Sequence, residues 1–109
     1  MNNITNLLLN CDSYKMSQFN QYPEDTAKVF SYIESRGGKY DSTVFFGLQM
    51  FLKEYLSKPF TKEDLEEAAI FAKAHGVPFN YRGWELILSR YQGNIPIVIK
   101  AAPEGMRSL

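Results

Sequence analysis

Asp12, Ser13, Tyr14 and Lys15 stand side by side within "CDSYKMSQFNQYP", residues 11–23. A carboxylate, a phenol and an ammonium in consecutive reach supply both charges and a flat ring, and Phe19 and Tyr22 follow before Pro23. Such a set suits the holding of a neutral aromatic heterocycle. An offset stack contributes about 1 kcal/mol beyond burial, and nearby polar groups fix the edge of the ring. A plainer arrangement uses the same residues: Asp12 caps a turn that begins at Ser13 while Tyr14 and Phe19 merely pack. Arg36 is the second candidate, placed where an apolar run gives way to Gly37-Gly38. A guanidinium at a strand end suits bidentate anion binding, although an arginine there also serves as a solvated strand terminus.

Other chemistry is sparsely represented. The single histidine, His75, falls near a helix C-terminus, where a cation is favoured. There is no glycine-rich phosphate loop, no metal-spaced His/Cys set and no Ser-His-Asp combination. Cys11 lies beside Asp12, whose charge raises a thiol pKa and makes a poor nucleophile. As the sole cysteine it forms no internal disulfide, which fits a reducing compartment and a cytoplasmic location. Twelve basic residues balance twelve acidic ones, so no summed field draws in nucleic acid or an anionic membrane, and neither is an expected partner. Apolar runs such as "VFF" and "MFL" are too short to span a bilayer. The start, "MNNITNLLLN", has neither the basic region nor the cleavage site of a signal peptide. Aromatics at 15% exceed what one small core encloses, so some aromatic surface is expected to face a partner.

The elements that must position these groups follow from periodicity. Ile4, Leu7 and Leu8 predict a short docking helix. Val29 and Ile33 on one face, with Phe30 and Tyr32 on the other, predict a strand over residues 27–35. From Thr43 the spacing of Val44, Phe45, Leu48, Phe51, Leu52 and Tyr55 predicts a helix capped by Asp41 or Ser42 and ended before Pro59. Thr61 and Asp64 approximate a capping box for a helix that Gly76 and Pro78 stop. Asn80 caps a further helix carrying Trp84, Ile87, Leu88 and Tyr91, and Gly93 ends it. "IPIVIKAA", residues 95–102, predicts a second strand. The fold class is therefore α+β: a small helical domain of about four helices and two strands, occupying residues 1–109. Two strands make a poor sheet alone, so both look for further neighbours.

Several stretches, in order, resemble the N-terminal region of the nicotinamide phosphoribosyltransferase family. The leucine run with D-S-Y-K and Q-Y-P opens the likeness. Ala27-Lys28-Val29-Phe30-Ser31-Tyr32, Glu34-Ser35-Arg36 and "TVFFGLQ" continue it. Gly83-Trp84, the Y-x-G-x-x-P-I of Tyr91 to Ile97, and "IKAAPEG" at Ile99 to Gly105 complete it. The resemblance implies an enzyme that joins nicotinamide to phosphoribosyl pyrophosphate, giving nicotinamide mononucleotide and pyrophosphate in NAD salvage. It implies cytosolic homodimers with active sites at the subunit interface. Tyr14 would stack on the nicotinamide ring from the neighbouring subunit, Arg36 would hold phosphates, and Asp12 and Lys15 would support them. The full-length family uses Mg²⁺; no cofactor is expected to be held by this chain itself.

Three departures bear on the likeness. Gln18 stands where the family often has histidine, and "GGKYD" shortens a charged insertion after the first strand. The family also continues past "PEG" into a barrel-like catalytic domain that this chain does not include. The chain is thus expected to be inactive by itself, as a fragment or truncated frame that associates with the missing catalytic part. The alternative is a stand-alone binding or dimerisation module derived from that domain.

Overall fold

A buried polar side chain anchors the first turn described. In the computed structural model, which describes residues 6–108, Leu7–Leu9 form a single 3-10 turn. Asn6 caps it, its side-chain oxygen accepting the Leu8 N–H at 3.1 Å. The Asn6 amide nitrogen donates to the Asp64 carbonyl and to the Glu67 carboxylate, each at 2.9 Å. Asn6 is fully buried, and these bonds offset the cost of removing its amide from water. Ile4, the expected start of this helix, lies outside the described residues. A second 3-10 segment, Ser13–Gln21, carries the D-S-Y-K residues. Its three-residue turn matches neither a helical nor a strand period, which is why the sequence gives no periodic signal there.

The expected strand over residues 27–35 does not form. All residues from 20 to 41 are exposed and no ladder pairs them. The rings of Phe30 and Tyr32 still lie 6.5 Å apart, in keeping with alternation along an extended chain. The backbone has the side-chain pattern of a strand but no neighbour among the described residues to bond with, and an unpaired strand leaves its N–H and C=O groups to water.

The helix expected from Thr43 starts later. Thr43–Val44 form a short strand, β1, and Gly47, in a left-handed conformation at φ 106°, precedes helix α1, Leu48–Phe51. Neither Asp41 nor Ser42 caps it. The Glu104 carboxylate does, accepting the N–H of Gly47 at 3.1 Å and of Gln49 at 2.8 Å. Helix α1 then widens into a π turn, Leu52–Leu56, closed by Ser57 N–H on the Leu52 carbonyl at 2.8 Å. Such a turn shifts the stripe that a regular 3.6-residue period predicts.

Helix α2, Lys62–His75, has the expected capping box between Thr61 and Asp64 and the expected left-handed Gly76 at its end. Helix α3, Tyr81–Tyr91, is capped by Asn80, whose side chain accepts the Gly83 N–H at 3.1 Å. A Cβ on Gly83 would stand 2.3 Å from Asn80 Nδ2, so a larger residue there would have to displace the capping side chain. The core lies between the two helices. Leu8, Phe60, Leu65 and Ala68 are buried there, with Trp84, Ile87, Leu88 and Ile95 against them. Phe60 meets Trp84 edge-on at 5.6 Å, and its N–H donates to the Gly93 carbonyl at 3.0 Å. A Cβ on Gly93 would come within 2.2 Å of the Phe60 carbonyl oxygen, at a backbone φ of +85° that favours glycine.

The strand expected at residues 95–102 is also absent. Pro96 has no N–H to give a ladder, and Ile97 N–H turns back onto the Ile95 carbonyl at 2.9 Å in a γ-turn. Residues 96–103 are exposed throughout. The ladder that does form is antiparallel, with Thr43 opposite Ser108 and Val44 opposite Arg107 on strand β2, Arg107–Ser108. The α+β description therefore stands in its helices, while the strands lie elsewhere and are very short. The chain exposes 9242 Å², against about 6,200 Å² for a compact chain of its mass. Its radius of gyration is 16.2 Å, against about 13 Å for a compact domain.

Two outcomes test this arrangement. Asn6→Ala leaves the Leu8 N–H and the Asp64 carbonyl short of a partner and is expected to destabilise the chain by about 1–3 kcal/mol, read as a lower urea midpoint. The amides of Gln49, first, and Gly47 hold the Glu104 carboxyl below its ordinary range. A depressed carboxylate stabilises at neutral pH and ceases to do so as pH falls through its lowered value. The amide resonances of Gln49 and Gly47 are therefore expected to shift together in that acid range, and Glu104→Gln to abolish the shift.

Candidate functional site

The groups singled out by their chemistry fall into two places. Asp12, Tyr14 and Lys15 share the start of the Ser13–Gln21 segment, while Arg36 lies in the exposed run beyond it. Asp12 occupies the N-cap position, and its carbonyl accepts the Lys15 N–H at 3.0 Å. Its carboxylate makes no capping bond, so the plainer role proposed for that side chain is not the one it plays. Among the described residues Asp12 has no ion-pair or side-chain hydrogen-bond partner, and its carboxylate stands in solvent.

Tyr14 does not pack into the interior. It is 58% exposed, and the ammonium of Lys15 stands over its ring, 5.4 Å from the centroid. A large ring held in water by a short, locally bonded turn offers a stacking surface at little ordering cost. Ser17 Oγ donates to the Tyr14 carbonyl at 3.2 Å and tightens that turn. Gln18, at the position the family often gives to histidine, is half-buried on the same segment.

Cys11 precedes this group. Loss of hydration, first, and the neighbouring Asp12 charge push its thiol above the ordinary range, opposed by Lys15. Its Sγ lies 3.9 Å from the Leu8 carbonyl. A raised thiol pKa leaves little thiolate at neutral pH, which agrees with the sequence reading of Cys11 as a poor nucleophile.

Arg36 is exposed, followed by Gly37 and Gly38 with positive φ. Among the described residues its guanidinium has no carboxylate partner and no hydrogen bond, leaving its donors available to an anion. The structure does not join it to the Tyr14 turn by any bond. His75 ends α2 with Lys73 in its last turn, and its ring lies against Phe71 at 5.9 Å. No three His, Cys, Asp or Glu side chains converge as metal ligands among the described residues.

The end of the Tyr14-bearing segment borders an open groove lined by Phe19, Tyr22, Pro23, Thr26 and Lys28. Phe19 and Tyr22 were legible as aromatic members of the opening motif. Thr26 and Lys28 carry no periodic or chemical signal that would have found them. Glu104 was also missed as the cap of α1, since it sits 57 residues from Gly47 in sequence. No helix is long and apolar enough to cross a membrane among the described residues.

The same stretches can be compared with known proteins. Residues 6–99 match the model of the nicotinamide phosphoribosyltransferase N-terminal domain. The nicotinamide phosphoribosyltransferase of Xanthomonas campestris pv. campestris (strain 8004) is 52% identical over 105 residues, an overlap that takes in 96% of this chain and 22% of the length of that relative. With most of its length matched in this way, the chain belongs to the nicotinamide phosphoribosyltransferase family and carries its N-terminal domain.

Proposed function

We propose that this chain supplies one wall of a nicotinamide site in a phosphoribosyltransferase of NAD salvage. The observation that carries the reading is the open face of Tyr14 on a turn whose D-S-Y-K residues have no packing duty. In this reaction a lone pair on the pyridine nitrogen forms a bond to the anomeric carbon of phosphoribosyl pyrophosphate. The bond from that carbon to the pyrophosphate oxygen breaks, and pyrophosphate leaves with the electron pair. No proton moves, and the ring becomes a cation.

Acceleration of such a displacement comes from positioning and from stabilising charge on the leaving group. Tyr14 orients the attacking ring by stacking, with Asp12 and Lys15 beside it. Arg36 neutralises phosphate oxygens through its fork of donors. Magnesium, implied by the resemblance for the full-length family, would supply charge screening of pyrophosphate. The described residues do not fit it as a ligand set, and no step here runs through it.

Other polypeptide completes the site, as a further part of the protein, a second subunit, or both. Residues 27–35 and 95–102 support that reading, because they keep strand-like side-chain patterns with nothing to pair against. In the assembled, cytoplasmic homodimer they join a larger sheet. Turnover by the 109-residue chain alone is not expected.

Titration of the chain with nicotinamide, followed by NMR, tests the stacking role. Shifts are expected around Tyr14, and Tyr14→Ala is expected to weaken binding about fivefold or more while Tyr14→Phe keeps most of it. Equal affinity in the wild type and Tyr14→Ala overturns the assignment. For Arg36, titration with phosphoribosyl pyrophosphate is expected to perturb the Arg36 side-chain resonance, and Arg36→Ala to weaken binding by about tenfold. Arg36→Lys is expected to recover only part of it, since an ammonium lacks the planar fork.

A further inference from the structure

Lys15 and Tyr14 are neighbours in sequence, yet their side chains are not independent. The Lys15 ammonium stands over the Tyr14 ring at 5.4 Å from its centroid, inside the range where a cation is attracted to a π face. A phenol has two faces, and Lys15 takes one of them. Tyr14 remains 58% exposed, and the face away from Lys15 is the one to which a stacking ring is assigned. A ring stacked there at van der Waals distance sits about 9 Å from the ammonium. That separation is close to one Debye length at physiological salt, with a low-dielectric phenol in between. Lys15 forms no ion pair with Asp12 or any other described carboxylate, so its charge is not cancelled in place.

We propose that Lys15 is a charge-selecting positioning residue: by occupying the back of Tyr14, it makes the open face of that ring favour an uncharged pyridine over a pyridinium. This rests on the reading of Tyr14 as a stacking wall. Two effects act in the same direction. The ammonium repels a second positive charge across the ring, and it also draws π density toward itself, which weakens the attraction of the far face for any cation.

The chemical consequence concerns substrate entry and product release, with the overall equilibrium untouched. The incoming heterocycle is neutral and the ribosylated ring is cationic, although the two have the same shape at the stacking face. Shape alone cannot tell them apart there, whereas a fixed positive charge behind the ring can. Lys15 therefore assists entry of the neutral ring and departure of the charged one without touching either.

The test uses nicotinamide and 1-methylnicotinamide, which differ at the ring nitrogen by a methyl group and a positive charge. Dissociation constants for both are measured by NMR titration of the full chain and of K15M, K15R and Y14A. Comparing the ratio between variants removes the steric effect of the methyl group. Lys15→Met is expected to reduce the preference for the neutral ring about two- to threefold. Lys15→Arg, which keeps the charge and the cation–π contact, is expected to preserve the preference, and high salt to shrink it in the wild type but not in K15M. An unchanged ratio in K15M overturns the proposal, as does equal weakening of both ligands, which would mean that Lys15 only shapes the turn. Failure of the underlying reading is distinguished by Y14A, which in that case binds nicotinamide as the wild type does. Absence of binding in the wild type overturns both.

Discussion

The side chain of Asn6 ties the Leu7–Leu9 turn, just ahead of the segment that carries Tyr14, to the first half of α2. Its two amide N–H bonds reach the Asp64 carbonyl and the Glu67 carboxylate, and its oxygen holds the Leu8 N–H. Without that tie Leu8 would have no reason to lie on Leu65 and Ala68, since one 3-10 turn has almost no stability of its own. The turn that presents the Tyr14 ring follows directly, so the placement of an exposed aromatic residue depends on a fully buried amide. Precision at the surface is obtained from satisfaction of polar groups in the interior.

The rest of the packed region works as two helices closed by exact backbone approaches. Phe60 donates its N–H to the Gly93 carbonyl at an approach that leaves no room for a Cβ on Gly93, and Gly83 makes room for the Asn80 cap. Glu104 and Gly105 return to the start of α1, where Gly105 N–H bonds the Phe45 carbonyl at 2.7 Å. Much of what makes the second half of the chain resemble its family thus has a structural explanation: Gly83-Trp84, the glycine of Y-x-G and the "PEG" turn all hold backbone together. The D-S-Y-K residues and Arg36 have no such explanation. Their side chains are exposed and contribute little to the packing, and it is the proposed ligand role that would account for their types.

Legibility in the sequence followed the same division. Helices α2 and α3 were readable because local signals agree: Thr61 with Asp64, Asn80, Gly76 and the stripe of Trp84, Ile87 and Leu88 all act within a few residues. The start of α1 was not, because its cap comes from Glu104 and its true first residue follows a left-handed Gly47. The Val44 and Phe45 side chains fit a helical spacing by coincidence of their positions in a strand and the loop after it. The alternation at residues 27–35 and 95–102 was read correctly as a pattern but not as an element, since a ladder requires a second segment and no local sequence can supply one. At the site, residue types pointed to Tyr14 and Arg36. What they could not give was that Lys15 covers one face of the ring, which depends on the tight turn.

The uncovered run from Val29 to Ile33 has a cost for the living cell. Phe30 is 88% exposed and Ile33 fully so, beside main-chain groups that no ladder among the described residues pairs. Molecular chaperones and quality-control proteases bind this combination of extended backbone and large apolar side chains. A copy of the chain that keeps this run uncovered is therefore open to such surveillance.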